Sequence, residues 1–223
     1  EGYLDLVPDD DDPKVKFELA HALARNRYFV DASELLDELI ASHPSNLDYK
    51  LFRAQIAIWT EDDIDLAEEY IAEVLSKKPD NFDALISLSS LQIMAEDFEG
   101  AQVTIDKARE INAGSNELIT VQSRLDFQII RAEEKKIFAI LEEGQRVLKD
   151  QGCSEALPYY EEYLEKAEPN NIVKREYGDV LFCAEKYDEA LRVYNEILDD
   201  GYDYKTELER GKLYYEMGDS LKA

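Results

Sequence analysis

The sequence predicts an all-α protein, a solenoid of stacked antiparallel helix pairs. Three observations point to this fold class: alanines recur with a period near 34 residues, apolar residues recur with the period of a helix, and good helix formers dominate the composition. The 223 residues include only 9 glycines and 6 prolines, which is few for a chain built from strands and tight turns.

The recurring feature is an alanine followed four residues later by a large apolar residue, at the start of an amphipathic stretch. The pairs are Ala32/Leu36, Ala67/Ile71, Ala101/Ile105, Ala156/Tyr160 and Ala190/Tyr194. A further alanine, Ala223, stands where a sixth pair would begin, so we expect a sixth unit that is truncated here. The intervals are 35, 34, 55, 34 and 33 residues, so one of them contains 21 extra residues.

A small residue also precedes every one of these alanines except Ala67, in what we interpret as the first helix of a unit. These small residues are Ala20, Ser89, Gly144, Gly178 and Gly211. Two helix axes can approach closely only where the side chains between them are small. This accounts for the recurring alanines and for the small residues of the first helices. Proline stops a helix, and units close at Pro44, Pro79 and Pro169.

The pattern resembles the tetratricopeptide repeat family from residue 13 onward. The best match is residues 171–202, with Tyr177, Gly178, Leu181, Tyr187, Ala190, Tyr194 and Ile197. Four positions depart from the family pattern. Gln55 stands where a small residue is expected, Gln92 where a large apolar residue is expected, and Ala113 or Tyr202 in place of a closing proline. The resemblance implies a right-handed superhelix, in which first helices line a concave groove and second helices form the convex back.

We divide the chain into four parts: an acidic leader at 1–12, three repeat units at 13–114, a helical insertion at 115–136, and two units plus a truncated third at 137–223. The leader ends in Asp9–Asp12, which we interpret as solvated acids that favour the next helix N-terminus. A contact with calcium or with a basic partner is the alternative.

The insertion falls in a stretch without glycine or proline, from Ser115 to Glu143. Apolar residues keep a helical rhythm throughout it, which favours one long helix. A separate extra helix, after a tight turn near Arg131–Lys135, is the alternative.

The charge of the chain bears on its partners. Lys and Arg number 25 against 51 Asp and Glu, a formal net charge of −26. Such a surface repels nucleic-acid phosphates and anionic membranes, and no apolar run approaches the ~18 residues that span a bilayer. It attracts a basic protein surface, although the acidity could equally serve only solubility. No signal peptide is visible, so a cytoplasmic and a periplasmic location both stay open.

Signals of catalysis are nearly absent, and we expect neither an enzyme nor a cofactor or metal site. His21 and His43 do not form a metal-binding helix pair, and no phosphate-binding glycine loop occurs. The run Asp199–Asp203 hints at a calcium loop, but its glycine comes too early, so we interpret it as a turn between repeats. Cys153 and Cys183 lie in separate segments, and we expect a buried free thiol at each.

The first helices supply the candidate groove. Its predicted residues are Phe17, His21, Arg25, Tyr49, Phe52, Arg53, Ile56, Trp59, Ile86, Ile93 and Met94. We expect them to face a partner because other residues occupy the core positions of these helices, namely Leu19, Leu51, Ala54, Leu85 and Leu88. Aromatic and arginine side chains are the usual anchors of binding energy. The alternative is that these residues pack against the neighbouring unit.

The sequence therefore predicts a non-catalytic protein–protein interaction scaffold that binds a peptide or helical segment of a partner in this groove. Some members of the family hold acidic chaperone tails with a Lys and Asn clamp, and the corresponding positions here carry Phe17, His21, Phe52 and Ile56, which disfavours that role. Two alternatives are a self-assembling structural array and a periplasmic scaffold of a bacterial envelope or polysaccharide-export system.

Overall fold

The computed structural model describes residues 12–218, which form eleven α-helices and contain no strand. The predicted all-α fold is confirmed. In chain order the helices are α1 (Pro13–Arg25), α2 (Phe29–Ser42), α3 (Leu47–Thr60), α4 (Ile64–Lys77), α5 (Phe82–Met94), α6 (Phe98–Ile111), α7 (Asn116–Asp150), α8 (Cys153–Lys166), α9 (Asn171–Cys183), α10 (Tyr187–Asp200) and α11 (Tyr204–Glu216).

Asparagines cap several of the first helices. The side-chain oxygens of Asn46, Asn81 and Asn170 accept hydrogen bonds from free backbone N–H groups at the starts of α3, α5 and α9. Each follows one of the unit-closing prolines by one or two residues. Such a cap contributes about 1 kcal/mol, so the proline ends one helix and the asparagine fixes where the next begins.

The recurring alanines lie where paired helices cross. Ala32, Ala67, Ala101, Ala156 and Ala190 are fully buried, each with 0% of its surface exposed. Any larger side chain would push the two axes apart, because packed interiors leave no spare volume. The structural role that the sequence predicts for these alanines is confirmed.

The chain forms two compact units, Glu1–Ile129 and Ile130–Ala223. Unit 1 contains the pairs α1/α2, α3/α4 and α5/α6, and the start of α7 packs on the last pair through Leu118, Val121 and Leu125. Unit 2 contains the end of α7, then α8, the pair α9/α10, and α11, around a core that includes Tyr160 and Tyr194.

The central segment is the single helix α7, as the uninterrupted apolar rhythm favoured. The boundary between the two units falls within this helix rather than in a loop, since the first unit ends at Ile129. The four-part division drawn from the sequence stays a prediction.

Cys153 and Cys183 form a disulfide, which corrects the prediction of two free thiols. Their Cα atoms are 5.8 Å apart although 30 residues separate them in sequence. Cys153 is the first residue of α8 and Cys183 the last of α9, so the antiparallel course of these helices brings the two ends together. Sequence spacing alone cannot show this, because it is a property of helix length and direction.

Two predictions concern residues that the structure does not describe. Of the acidic run Asp9–Asp12 only Asp12 is described, and its carboxylate accepts a hydrogen bond from the backbone N–H of Lys14 at 2.9 Å, capping α1. Ala223 and the expected start of a further helix also lie outside residues 12–218. Within these residues, no helix has both the length and the apolar character that crossing a membrane requires.

Candidate functional site

Three first helices of unit 1, α3, α5 and α7, enclose a cavity of about 520 Å³, here called the groove cavity. The C-terminal end of α3, the middle of α5 and the first turns of α7 form its walls. The lining residues are Ile58, Trp59, Glu61, Ile86, Ser90, Asn116, Glu117, Thr120, Val121 and Arg124. Apolar side chains therefore lie next to hydroxyl, carboxylate and guanidinium groups, the mixture found in many binding sites.

The repeat period explains why the cavity opens here. One series of equivalent positions, spaced by 35, 34 and 34 residues, is Phe17, Phe52, Ile86 and Thr120. A second series with the same spacing is His21, Ile56, Ser90 and Arg124. The first two members of each series are bulky and fill the face of α1 and α3. The later members on α5 are smaller, so the groove is filled at its start and open beyond Trp59.

The filled part is an aromatic cluster between α1 and α3. The ring of His21 stacks on Phe52 with 3.8 Å between the ring centres, and the ring of Phe17 lies 4.8 Å from that of Tyr49. Trp59 continues the row, edge-on to Phe52 at 6.1 Å. Burial in this cluster lowers the pKa of His21, and the charge of Arg25 acts in the same direction against the opposite influence of Glu18.

Four predicted groove residues lie in the core instead. Tyr49, Phe52, Ile56 and Ile93 are between 1% and 7% exposed, so they do not face a partner. The expectation was wrong for these four because neighbouring first helices pack against each other through this face. The core therefore contains more residues than those assigned to it from the sequence.

Arg53, another predicted groove residue, is buried in an internal ion pair. Its Nε lies 3.1 Å from Asp37 Oδ1 on α2, and its Nη2 lies 2.7 Å from Asp63 Oδ2 before α4. Burial opposes its charge, but the hydrogen bonds to Asp63 and Asp37 outweigh this and raise the pKa of Arg53. We therefore correct the role of Arg53 from partner contact to a link between α2, α3 and the α3–α4 turn.

The remaining predicted residues keep some exposure. Phe17 and His21 are half-buried in the aromatic cluster, Arg25 is exposed, and Met94 packs partly against the core of α3 and α4. Trp59 is 55% exposed. Of the predicted set, the structure brings only Trp59 and Ile86 together in the groove cavity.

Two tetratricopeptide repeat models match the chain, one over residues 59–125 and the other over residues 141–204. Together these ranges cover more than half of the 223 residues. The chain belongs to the tetratricopeptide repeat family. No curated protein sequence matches it significantly.

Solved structures of other tetratricopeptide proteins are similar to the chain. A protein from Parabacteroides merdae shares 15% identity, with 92% of this chain and 85% of that chain covered and a TM-score of 0.45. A thermophilic protein from Thermus thermophilus shares 13% identity, with 91% and 99% covered and a TM-score of 0.44. The yeast Sti1 TPR2AB domain, in a complex described as containing pHSP90, shares 11% identity, with 92% and 84% covered and a TM-score of 0.48. At such low identity the similarity extends to the fold alone.

Sequence reasoning missed the wall that α7 contributes, because residues 115–136 were assigned to an insertion. Yet Thr120 and Arg124 continue the tetratricopeptide series of Ile86 and Ser90 after 34 residues each. The start of α7 is thus the first helix of a further unit, and extending the period by one more step would have found both residues.

The charges around the groove cavity are mixed. Glu61 and Glu117 lie at its edge, and a hydrogen bond from the Ser115 hydroxyl lowers the pKa of Glu117, which keeps that carboxylate ionised. Arg124 has no ion-pair partner within residues 12–218, so its guanidinium is free to bind a carbonyl or carboxylate of a ligand. The arrangement suits recognition of a chain segment, since it offers an apolar floor and separate polar contacts.

Proposed function

We propose that this tetratricopeptide protein is a non-catalytic scaffold that binds a segment of another protein in the groove cavity of unit 1. The observation that carries the proposal is that the exposed Trp59 lines, together with Ile86, a cavity walled by three successive first helices. Tryptophan is enriched among the few residues that carry most of the binding energy at protein interfaces.

The lining residues favour a particular kind of segment. Trp59, Ile58 and Ile86 suit an apolar side chain, while Ser90 and Arg124 suit the polar groups of an extended backbone. The net charge of −26 favours a partner with a basic surface, because long-range attraction raises the rate of encounter.

The experiment selects random displayed peptides on the wild-type protein and then tests the selected peptides on variants. A Trp59→Ala, Ile86→Ala double variant should lose binding by roughly tenfold or more, since two anchors are truncated. Val103→Ala is the matched control, because Val103 is an exposed apolar residue on α6 outside the cavity. Phe52 is unsuitable as a test position, because truncating it would remove a buried ring.

Fluorescence gives a second measurement, since Trp59 is the only tryptophan in the chain. Its emission should shift when a selected peptide binds. Two results together would show that the site lies elsewhere. The selected peptides would bind the double variant as tightly as the wild type, and they would leave the emission of Trp59 in the wild type unchanged.

Self-association is a second candidate, favoured by one observation. The middle of α7 exposes Phe127, Ile129, Ile130 and Phe138, each more than 40% exposed. Exposed apolar side chains of this size often mark a contact surface. Sedimentation should then show an assembly that a Phe127→Gln, Phe138→Gln variant weakens, whereas a concentration-independent monomer of 25.7 kDa would exclude this candidate.

The disulfide bears on where such a scaffold would work. Disulfides persist in oxidising compartments and are rare where glutathione keeps thiols reduced. The bridge between Cys153 and Cys183 therefore favours a location such as the periplasm over the cytoplasm.

A further inference from the structure

The Cys153–Cys183 bridge connects two neighbouring repeats of unit 2. Helix α8 packs on the end of α7 where Tyr159 and Tyr160 face Gly144, whereas α9 pairs with α10 where Tyr194 faces Gly178. The bridge is therefore the only covalent link, apart from the backbone, between these repeats within residues 12–218.

The two cysteine residues are not equally exposed. Cys183 is exposed, whereas Cys153 is half-buried and packs against the apolar core of unit 2. An external thiolate must approach one sulfur in line with the disulfide bond, so it reaches Cys183 more easily.

The helix ends distinguish the sulfurs in a second way. Cys153 occupies the first position of α8, where unpaired backbone N–H groups carry partial positive charge, and the N-cap residue Gly152 supplies no side chain to pair with them. Cys183 is the last residue of α9, where the partial charge is negative. The carboxylate of Glu155, in the first turn of α8, acts against this difference. The helix ends by themselves therefore favour a thiolate at Cys153 over one at Cys183.

We propose that this bridge is a thiol–disulfide exchange site, attacked by an external thiol at the sulfur of Cys183 with Cys153 as the leaving group. The external thiolate forms a bond to Cys183 Sγ while the bond to Cys153 Sγ breaks, and the electron pair leaves on Cys153, which then takes up a proton. A second external thiolate then attacks the sulfur of the first external thiol in the mixed disulfide, and Cys183 leaves as a thiolate that takes up a proton. The bridge gains two electrons and two protons, and the two external thiols become one disulfide.

Exchange would make the connection between the two repeats reversible while leaving the core contacts in place. The buried residues Ala156, Leu157, Val180 and Leu181 form a core of their own beside the bridge, so we expect them to stay packed after reduction. The oxidised and reduced chains then differ in how freely α8 and α9 can separate at one end, which is a local change suited to control.

The test uses reduced glutathione as the probe on the whole native protein. After brief exposure, free thiols are blocked with an alkylating reagent, and peptide mass spectrometry locates the glutathione adduct. The adduct on Cys183 should exceed that on Cys153 by roughly threefold or more. In the control the protein is unfolded in guanidinium first, and the preference should disappear because both sulfurs are then equally accessible.

A Glu155→Gln variant tests the contribution of charge at the start of α8. Removing that carboxylate should make Cys153 a better leaving group and speed reduction about two- to fivefold. Glu162→Gln, on the same helix but two turns further, is the matched control and should leave the rate unchanged. An adduct mainly on Cys153, or no preference in the native protein, would overturn the proposal.

Discussion

At the scale of single residues, the close approach of paired helices depends on glycine where tyrosine faces it. A Cβ atom added to Gly178 would lie 2.5 Å from Cε1 of the fully buried Tyr194. The hydroxyl of Tyr194 donates a hydrogen bond to Asp179 Oδ1 at 2.7 Å, which holds the ring in place. Neither partner can move away cheaply, so the glycine is required by contact rather than by backbone conformation.

We predict that Gly178→Ala destabilises the protein by about 1–3 kcal/mol, although alanine is the better helix former, because overpacking a filled core costs that much. Denaturant unfolding followed by circular dichroism measures the change. Gly114→Ala is the matched control and should be nearly neutral, since nothing lies within 4 Å of its added Cβ. Equal effects at the two positions would contradict the contact.

A second residue-scale prediction concerns His21 and pH. Burial lowers the pKa of His21 below 6.5, so the unfolded chain takes up the proton first as the pH falls. The contribution of neutral His21 to stability is therefore present above the ordinary histidine pKa of about 6.5 and is lost below it. A His21→Gln variant should lose less stability than the wild type between about pH 7 and pH 5.

The control for this experiment is His43→Gln, because His43 is exposed at the end of α2. That variant should keep the pH dependence of the wild type. Parallel pH profiles for the wild type and the His21→Gln variant would show that His21 is not the residue responsible.

Residue identity allowed the sequence to predict the helix crossings but not the groove. The buried alanines could be predicted because only small side chains fit between crossing helices. The burial of Phe52 and Ile56 could not, because periodicity gives the face of a helix and not what the next helix places opposite it. Trp59, near the end of α3, stays exposed although its ring contacts Phe52.

At the scale of elements, the disulfide joins ends of α8 and α9 that are 30 residues apart in the chain. We predict that a Cys153→Ser, Cys183→Ser variant is less stable by about 3–4 kcal/mol, because closing a loop of this length restricts the unfolded chain. Denaturant unfolding without reductant measures the difference.

The same experiment contains its control. Dithiothreitol should destabilise the wild type by a similar amount and leave the serine variant unchanged. A wild type that is insensitive to dithiothreitol after complete reduction would show that the bridge does not contribute to stability.

At the scale of the whole molecule, net charge opposes folding. The chain carries a formal charge of −26, and a compact state brings those charges closer together than an unfolded one does. Several exposed ion pairs, such as Lys166 with Glu162, offset little of this, because water screens the attraction between exposed charges.

We predict that the melting temperature rises when sodium chloride increases from about 0.01 M to about 0.15 M, since the screening length falls from about 30 Å to about 8 Å. Sucrose at equal osmolarity is the control and should have a smaller effect. A melting temperature that falls with salt would mean that attractive ion pairs outweigh the repulsion.

The fold class could be predicted from this sequence because the repeat period is a property of the whole chain, shared by five alanines. The structural role of its longest helix, α7, could not be predicted. Helix α7 ends one series of first helices and begins the core of unit 2, and an uninterrupted helical rhythm looks the same in both roles.

The middle of helix α7 belongs to neither core. No residue from 126 to 140 is buried, whereas Leu125 belongs to the core of unit 1 and Leu141 to the core of unit 2. A helical segment without buried side chains gains little stability from apolar packing, so its backbone amides should exchange with deuterium fastest within α7. A single proteolytic nick there would leave two fragments, each retaining every buried side chain of its own core.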